Sequence, residues 1–484
     1  MFTRSKALRW ISLPAEIRLM ILETIAYQKS PGWASFASVC KEWQYVLEKA
    51  NFHKITLGIS RLDDFESTIS AQKRELIHHI YLNIELPRYT PICCSKRRSR
   101  PTGINSLVSD GIRKLFFILS SWKPVHNLAL EINAYSPSDF EHWFKTLSSD
   151  DDEHDVESMP DTWKSQCHDP RHGWIHGQQV RAPPRSAMLR LFRPILLVFD
   201  ETLPRVQAIT CFIIRRQLRR CISPSGLALL LSRFDRLEQL SYESWAPYDV
   251  SDREFHDRAF SLPMRNNIPD TLNSLIIFED SYAFYDPFPT HPAHIPWFNL
   301  LDPNQGLGAI FASKSLDLQH LAISFMINAE ELFRHCQSTW SWTHLQSLAL
   351  TSQLLQDAWE KRQQIEALLC RAEVLIQKMP KLHTFVLWNG GKAQACAFIY
   401  CIDKDNASVT WRGTWNLELT PRVVDLWQLA ASKLGYSKLQ FKQETVRGVI
   451  RSHGDAIYHL KLPCQVIQTA SLWQIRREGY GLTQ

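Results

Sequence analysis

The sequence predicts an α/β protein with three parts: an N-terminal helical bundle, an irregular leucine-rich-repeat-like solenoid of parallel strands with outer helices, and a C-terminal α+β cap. Three observations carry this. Residues 12–57 hold helical apolar spacings bounded by Pro, Ser and Gly. A short unit, apolar-x-x-apolar-x-apolar, recurs through the middle of the chain, with helical stretches between several copies. From Ala395 the pattern changes to two alternating segments around a turn, followed by helices.

The bundle comes first. Pro14 suits a first helical turn, where its missing N–H is not needed, and Glu16 complements the helix dipole. Ile17, Ile21 and Ile25 recur at intervals of four, with Leu22 beside them, and Ser30-Pro31-Gly32 ends the helix. A second helix is expected from Phe36, Val39, Cys40, Trp43, Val46 and Leu47, which share one face. A unit this small buries too little surface to stand alone comfortably, so it should pack on the rest of the chain or on a partner.

The strand units follow. They start at Ile77, Val125, Val206, Leu237, Leu272, Leu318, Leu345 and Leu382, and each ends in two apolar positions that alternate as on a half-buried strand. Helices are expected at 227–234, 329–335 and 365–379. If the fourth and sixth positions are core, the residue between them points to the other face. These residues are Tyr81, Ala129, Thr210, Ser241, Ile276, Ala322, Ala349 and Val386, a floor of mostly small side chains. The spacing is uneven, tight from Leu321 to Leu348 and wide from Leu128 to Ile209, where an insertion or a missed unit is expected. Residues 87–110 and 148–187 are poor in large aliphatics and read as mobile insertions. Residues 281–304, rich in Pro and aromatics, read as an ordered connection. The domain reading is 8–57 for the bundle, 75–394 for the solenoid and 395–484 for the cap. In the cap, Ala397–Ile402 and Val409–Trp415 form a hairpin, with helices around 422–434 and 470–477.

Composition excludes some classes. The 484 residues are 45% hydrophobic and 21% charged, ordinary for a folded chain. A net charge of +6 is too weak for a dedicated nucleic-acid binder, and no apolar run approaches the ~20 residues of a membrane span. The N-terminus lacks an export signal, so the 11 cysteines are expected as free thiols in the cytoplasm or nucleus. No HExxH, GxSxG, GxGxxG, P-loop or CxxC motif occurs. His168, His172 and His176 share a spacing of four, but Pro170 and Gly173 break the helix that would align them, and no metal or cofactor is expected. Asp403-x-Asp405 lacks the later residues of a calcium loop. Lys96–Arg100 reads as a solvated basic loop. Arg215, Arg216, Arg219 and Arg220 follow an apolar strand, so carboxylate partners such as Glu238 or Glu243 are expected in preference to an anion-binding rim.

Leu13-Pro14-x-Glu16-Ile17, Ile21-Leu22 and Val39-Cys40-Lys41-x-Trp43 together resemble an F-box, although Ala26–Ala34 departs from the usual linker. The later series Arg215-Arg216-Gln217-x-Arg219-Arg220, Tyr242-Glu243-x-Trp245, Phe278-Glu279-Asp280, Ser324-Phe325-Met326 and Trp388-Asn389-Gly390 is similar to F-box proteins of filamentous fungi. The resemblance implies a three-helix F-box that docks on Skp1 through Leu13, Pro14, Glu16, Ile17, Ile21, Leu22, Val39, Cys40 and Trp43. It implies a substrate-recognition adaptor of a Skp1–cullin–F-box ubiquitin ligase, not an enzyme, with no defined substrate. An F-box scaffold acting with Skp1 outside a ligase is the alternative. An enzyme on an α/β scaffold is disfavoured by the empty motif search. Trp245, Phe325 and Trp388, just beyond the strands, are the expected aromatic anchors of a substrate-facing rim.

Overall fold

The computed structural model describes residues 10–90, 103–124, 127–142, 168–176, 178–181, 185–247, 253–281, 305–403, 406–436 and 438–481. The basic run 96–100 and the Pro-rich connection 282–304 lie outside these residues.

The N-terminal part holds α1 (Ala15–Gln28), a 3-10 helix at Trp33–Ser38 and α2 (Lys41–His53). The expected second helix is therefore split. Cys40 is extended, at φ −164°, and starts α2 instead of lying inside a longer helix. Next come β1 (Lys54–Leu57), α3 (Leu62–Thr68), α4 (Ala71–Arg74), β2 (His79–Glu85), α5 (Ile104–Ser120), β3 (Leu128–Tyr135) and α6 (Pro137–His142).

A two-stranded ladder, β4 (Trp174–Ile175) with β5 (Gln178–Gln179), precedes α7 (Arg185–Leu191). Both expected insertions are thus narrower than their composition suggested. Residues 104–110 open α5, where Val108 and Ile112 begin a buried face. Within 148–187 the buried Trp174 anchors the ladder, and a Cβ on Gly173 would lie 2.5 Å from the Arg181 carbonyl, so only glycine fits. Residues 148–167 lie outside the described part.

The central run is β6 (Ile209–Ile214), α8 (Pro224–Leu231), β7 (Gln239–Trp245), α9 (Arg253–Asn266), β8 (Ser274–Asp280), α10 (Gln305–Lys314), β9 (His320–Ser324), α11 (Ala329–His335), β10 (Ser347–Thr351), α12 (Arg362–Ile376) and β11 (Thr384–Gly391). Local signals set these helices. Ser223 caps α8 by accepting from Gly226 N–H, with Pro224 in the first turn. Asn328 and Glu331 form a capping box at α11. The chain ends with β12 (Gln394–Asp403), β13 (Asn406–Gly413), α13 (Pro421–Lys433), β14 (Leu439–Thr445), α14 (His453–Leu460) and α15 (Thr469–Gly481).

Among the described residues, all strands except β4 and β5 form one 12-stranded sheet in chain order. It is parallel from β1 to β11, antiparallel through the β12–β13 hairpin, and parallel again to β14. The sheet crosses both expected domain boundaries, since β1 ends at Leu57, inside the bundle, and β12 to β14 run on from Gln394 through the cap. One apolar row runs through the register Ile80, Leu130, Phe212, Leu240, Leu275, Leu321, Leu348 and Phe385. The sequence units coincide with this row at Ile80 and from Leu240 onward. At β3 the unit sits two residues early, with Leu130 rather than Leu128 on the row, and at β6 a bulge after Ile209 moves the row on to Phe212. The row facing the other way therefore contains Glu131 and Ile213 where Ala129 and Thr210 were expected.

Candidate functional site

Two surfaces carry the residues singled out from sequence. The first is the N-terminal helical unit. Glu42 on α2 accepts from Arg18 Nε at 2.9 Å and from Trp10 Nε1 at 3.1 Å, which ties α1 and the segment before it to α2. Those two hydrogen bonds hold the Glu42 carboxyl below its usual range. Trp43 packs with Trp10 and Phe36, with ring centroids 5.1 and 6.2 Å apart. Leu22 is the buried residue of α1 and Leu47 that of α2. The expected stripe of isoleucines does not point inward: Ile17 is 42% exposed and Ile21 37%. Met20 and Val39 are each 61% exposed. Of the expected docking residues, Pro14, Glu16, Ile17, Ile21, Val39 and Cys40 are exposed, and Leu13 and Trp43 are half-buried. Leu22 is a correction: fully enclosed between the helices, it cannot touch a partner.

The second surface is the sheet face away from α5, α8 and the other outer helices. Here α14 and α15 cover the strands. Phe278, Ala322, Phe325, Ala349, Val386 and Trp388 from the sheet pack with Ala456, Ile457, Leu460 and Ile475 from these helices. The small residues of the floor permit the close approach. Gly390 marks the limit, since a Cβ there would lie 2.4 Å from that of Ala456. The expected aromatic rim is thereby overturned. Trp245, Phe325 and Trp388 are all buried. Trp245 Nε1 donates to the Arg216 carbonyl at 2.6 Å, and its ring lies under the guanidinium groups of Arg216 and Arg219. Phe325 adopts φ 65°, unusual for a bulky residue, and its ring meets Trp388 at 5.1 Å. Each side chain alternates to the face that the C-terminal helices fill. The sequence signal for α15 was read as an edge cap, and α14 was missed.

The arginine run is built into this second layer. Arg215 pairs with Glu131, and Arg220 makes a two-pronged pair with Asp139 at 2.6 Å per bond. Arg216 bonds Asp280 through Nε and Glu478 of α15 through Nη2 at 2.7 Å; Arg219 reaches Glu478 at 3.1 Å. Glu238 takes no part in these pairs, and Glu243 enters differently from expectation. Its carboxylate accepts the backbone N–H groups of Arg216 and Gln468 and the hydroxyl of Ser471. Burial pushes the Glu243 carboxyl up, opposed by the Ser471 hydroxyl and by those backbone donors. Burial acts the same way on Asp280, but the charges of Arg216 and His453 outweigh it and hold that carboxyl at about 2.

A carboxyl lowered from 3.8 to about 2 stabilises the fold above pH ~4, and this contribution is lost as pH falls toward 2. Asp280→Asn is expected to remove about 2 kcal/mol of that pH dependence. Urea midpoints between pH 4.5 and 2.5 should fall less steeply in the variant. An unchanged slope would show that Asp280 does not carry the acid limb. Glu243 works in the opposite sense, its raised carboxyl costing stability as pH climbs past the ordinary carboxylate range.

These features define an α/β protein whose long, mostly parallel sheet is clad by helices on one face and closed over its C-terminal half by α14 and α15 on the other. No helix among the described residues is long and apolar enough to cross a membrane. A family model described as a family of unknown function, DUF6546, matches residues 267–468. The match covers less than half of the chain, runs from just before β8 to just before α15, and does not reach the N-terminal helices. No curated protein matches the sequence.

Proposed function

We propose that the chain is an adaptor of a Skp1–cullin ubiquitin ligase that docks on Skp1 through its N-terminal helices. The carrying observation is the concentration of exposed Ile17, Leu19, Met20, Ile21, Phe36 and Val39 on one small unit. Apolar side chains grouped on a unit that buries little of its own surface mark a partner contact. The Arg18–Glu42 pair fixes α1 against α2. The leucine-rich-repeat-like solenoid reading rests on the strand order, which follows the chain. In this reading the chain catalyses nothing, and a substrate protein binds elsewhere than on the strands beneath α14 and α15.

The test is co-purification with Skp1. Leu13→Ala with Pro14→Ala, and separately Ile21→Asp with Val39→Asp, should each weaken Skp1 capture at least about tenfold while the unfolding free energy in urea stays within ~1 kcal/mol of the parent. Undiminished capture in both would remove the proposed docking face. Recovery of cullin with Skp1 supports the ligase, and Skp1 without cullin supports a scaffold acting outside it.

A further inference from the structure

The geometry points to a divalent-cation site at His256, Asp257 and Glu279, on the sheet face opposite the C-terminal helices. His256 and Asp257 lie near the start of α9, and Glu279 lies near the carboxyl end of β8. One ligand atom from each falls within 4.8 Å of the others. Asp257 and Glu279 are buried and His256 is half-buried.

Arg253 shapes the set without filling it. Its Nε donates to Asp257 Oδ2 at 2.7 Å and its Nη1 to Glu279 Oε2. Asp257 Oδ1 lies 3.5 Å from His256 Nδ1. Glu279 Oε1 is buried and accepts no hydrogen bond. Ser244, which stands opposite Glu279 in the β7–β8 register and so shares its face, has a buried hydroxyl that is also without a hydrogen bond. Buried polar oxygens left unpaired are costly, and two side by side call for a group between the strands and α9. The formal charges, two carboxylates against one guanidinium, leave an excess of one negative charge, which attracts a cation.

One imidazole nitrogen and two carboxylate oxygens suit zinc(II) or manganese(II) better than the all-oxygen shells of calcium or magnesium. Arg253 then acts as an outer partner that fixes both carboxylates through their second oxygens. The neighbouring layer uses its carboxylates differently. Asp280, one residue on, points to the opposite face and is paired with Arg216 there.

The experiment uses the purified full chain, stripped with chelator and titrated separately with zinc chloride and manganese chloride by calorimetry. About one equivalent of one of the two metals should bind, and the thermal midpoint should rise with its concentration. His256→Gln and Glu279→Gln should each weaken binding at least tenfold, and Arg253→Lys about 10–100-fold. Because Glu279→Gln also disturbs the Arg253 pair, His256→Gln, at the least buried of the three positions, decides the outcome. Absence of stoichiometric binding by either metal would mean that water satisfies these oxygens and would overturn the site. Binding undiminished in His256→Gln would place the metal elsewhere, for example at His168, His172 and His176, and would overturn it equally.

Discussion

Arg216→Met is expected to destabilise the protein by about 3–5 kcal/mol. Arg216 is fully buried, and its guanidinium joins Asp280 on β8 to Glu478 on α15. Methionine keeps much of the stem's volume but leaves two carboxylates facing each other without their cation. His453 lies 3.5 Å from Asp280 and Arg219 bonds Glu478, so some compensation remains. The effect should read as a lower urea midpoint, and adding Glu478→Gln should recover part of it by removing one unpaired charge. A loss below about 1 kcal/mol would mean that α15 is not docked against β6 and β8 in solution.

Trp388→Ala should cost about 3–5 kcal/mol, because it empties a fully buried site under α14. The ring fills the space between Phe325 and the helix that Gly390 admits. Near-ultraviolet circular dichroism should lose intensity as neighbouring aromatics gain freedom, while Skp1 capture by the folded fraction should persist. Unchanged stability combined with loss of a bound partner would restore the rim that the sequence suggested.

The strands were legible where both the turn and the alternation were clear. Leu240, Leu275, Leu321, Leu348 and Phe385 fall on one register row, as their shared pattern implied. Val206–Cys211 misled, since a bulge is a property of the pairing and leaves no mark on one strand alone. The hairpin around Asp403 was plain from its turn residues, and β12 pairs with β13 as expected. What composition concealed was the destination of the final helices. Ala322, Ala349 and Val386 look like an open floor because they are small, yet small side chains equally suit a helix packed close above them. Likewise the four arginines announced that carboxylates must exist. Only the fold could choose Glu131, Asp139, Asp280 and Glu478, the last of them 262 residues from Arg216.

That separation also has a temporal meaning. At typical rates of synthesis, α15 follows Arg216 out of the ribosome by roughly 10–50 s. During that interval β6 to β11 can pair with their neighbours and receive their outer helices, while the opposite side, with Trp245, Phe325 and Trp388, has nothing to lie beneath. A nascent chain in this condition offers a broad aromatic surface to whatever it meets, with Arg216 held by Asp280 but not yet by Glu478. Chaperone occupancy in translating cells should therefore be greatest while ribosomes traverse codons 390–480, and should fall once Ser471 and Glu478 have emerged.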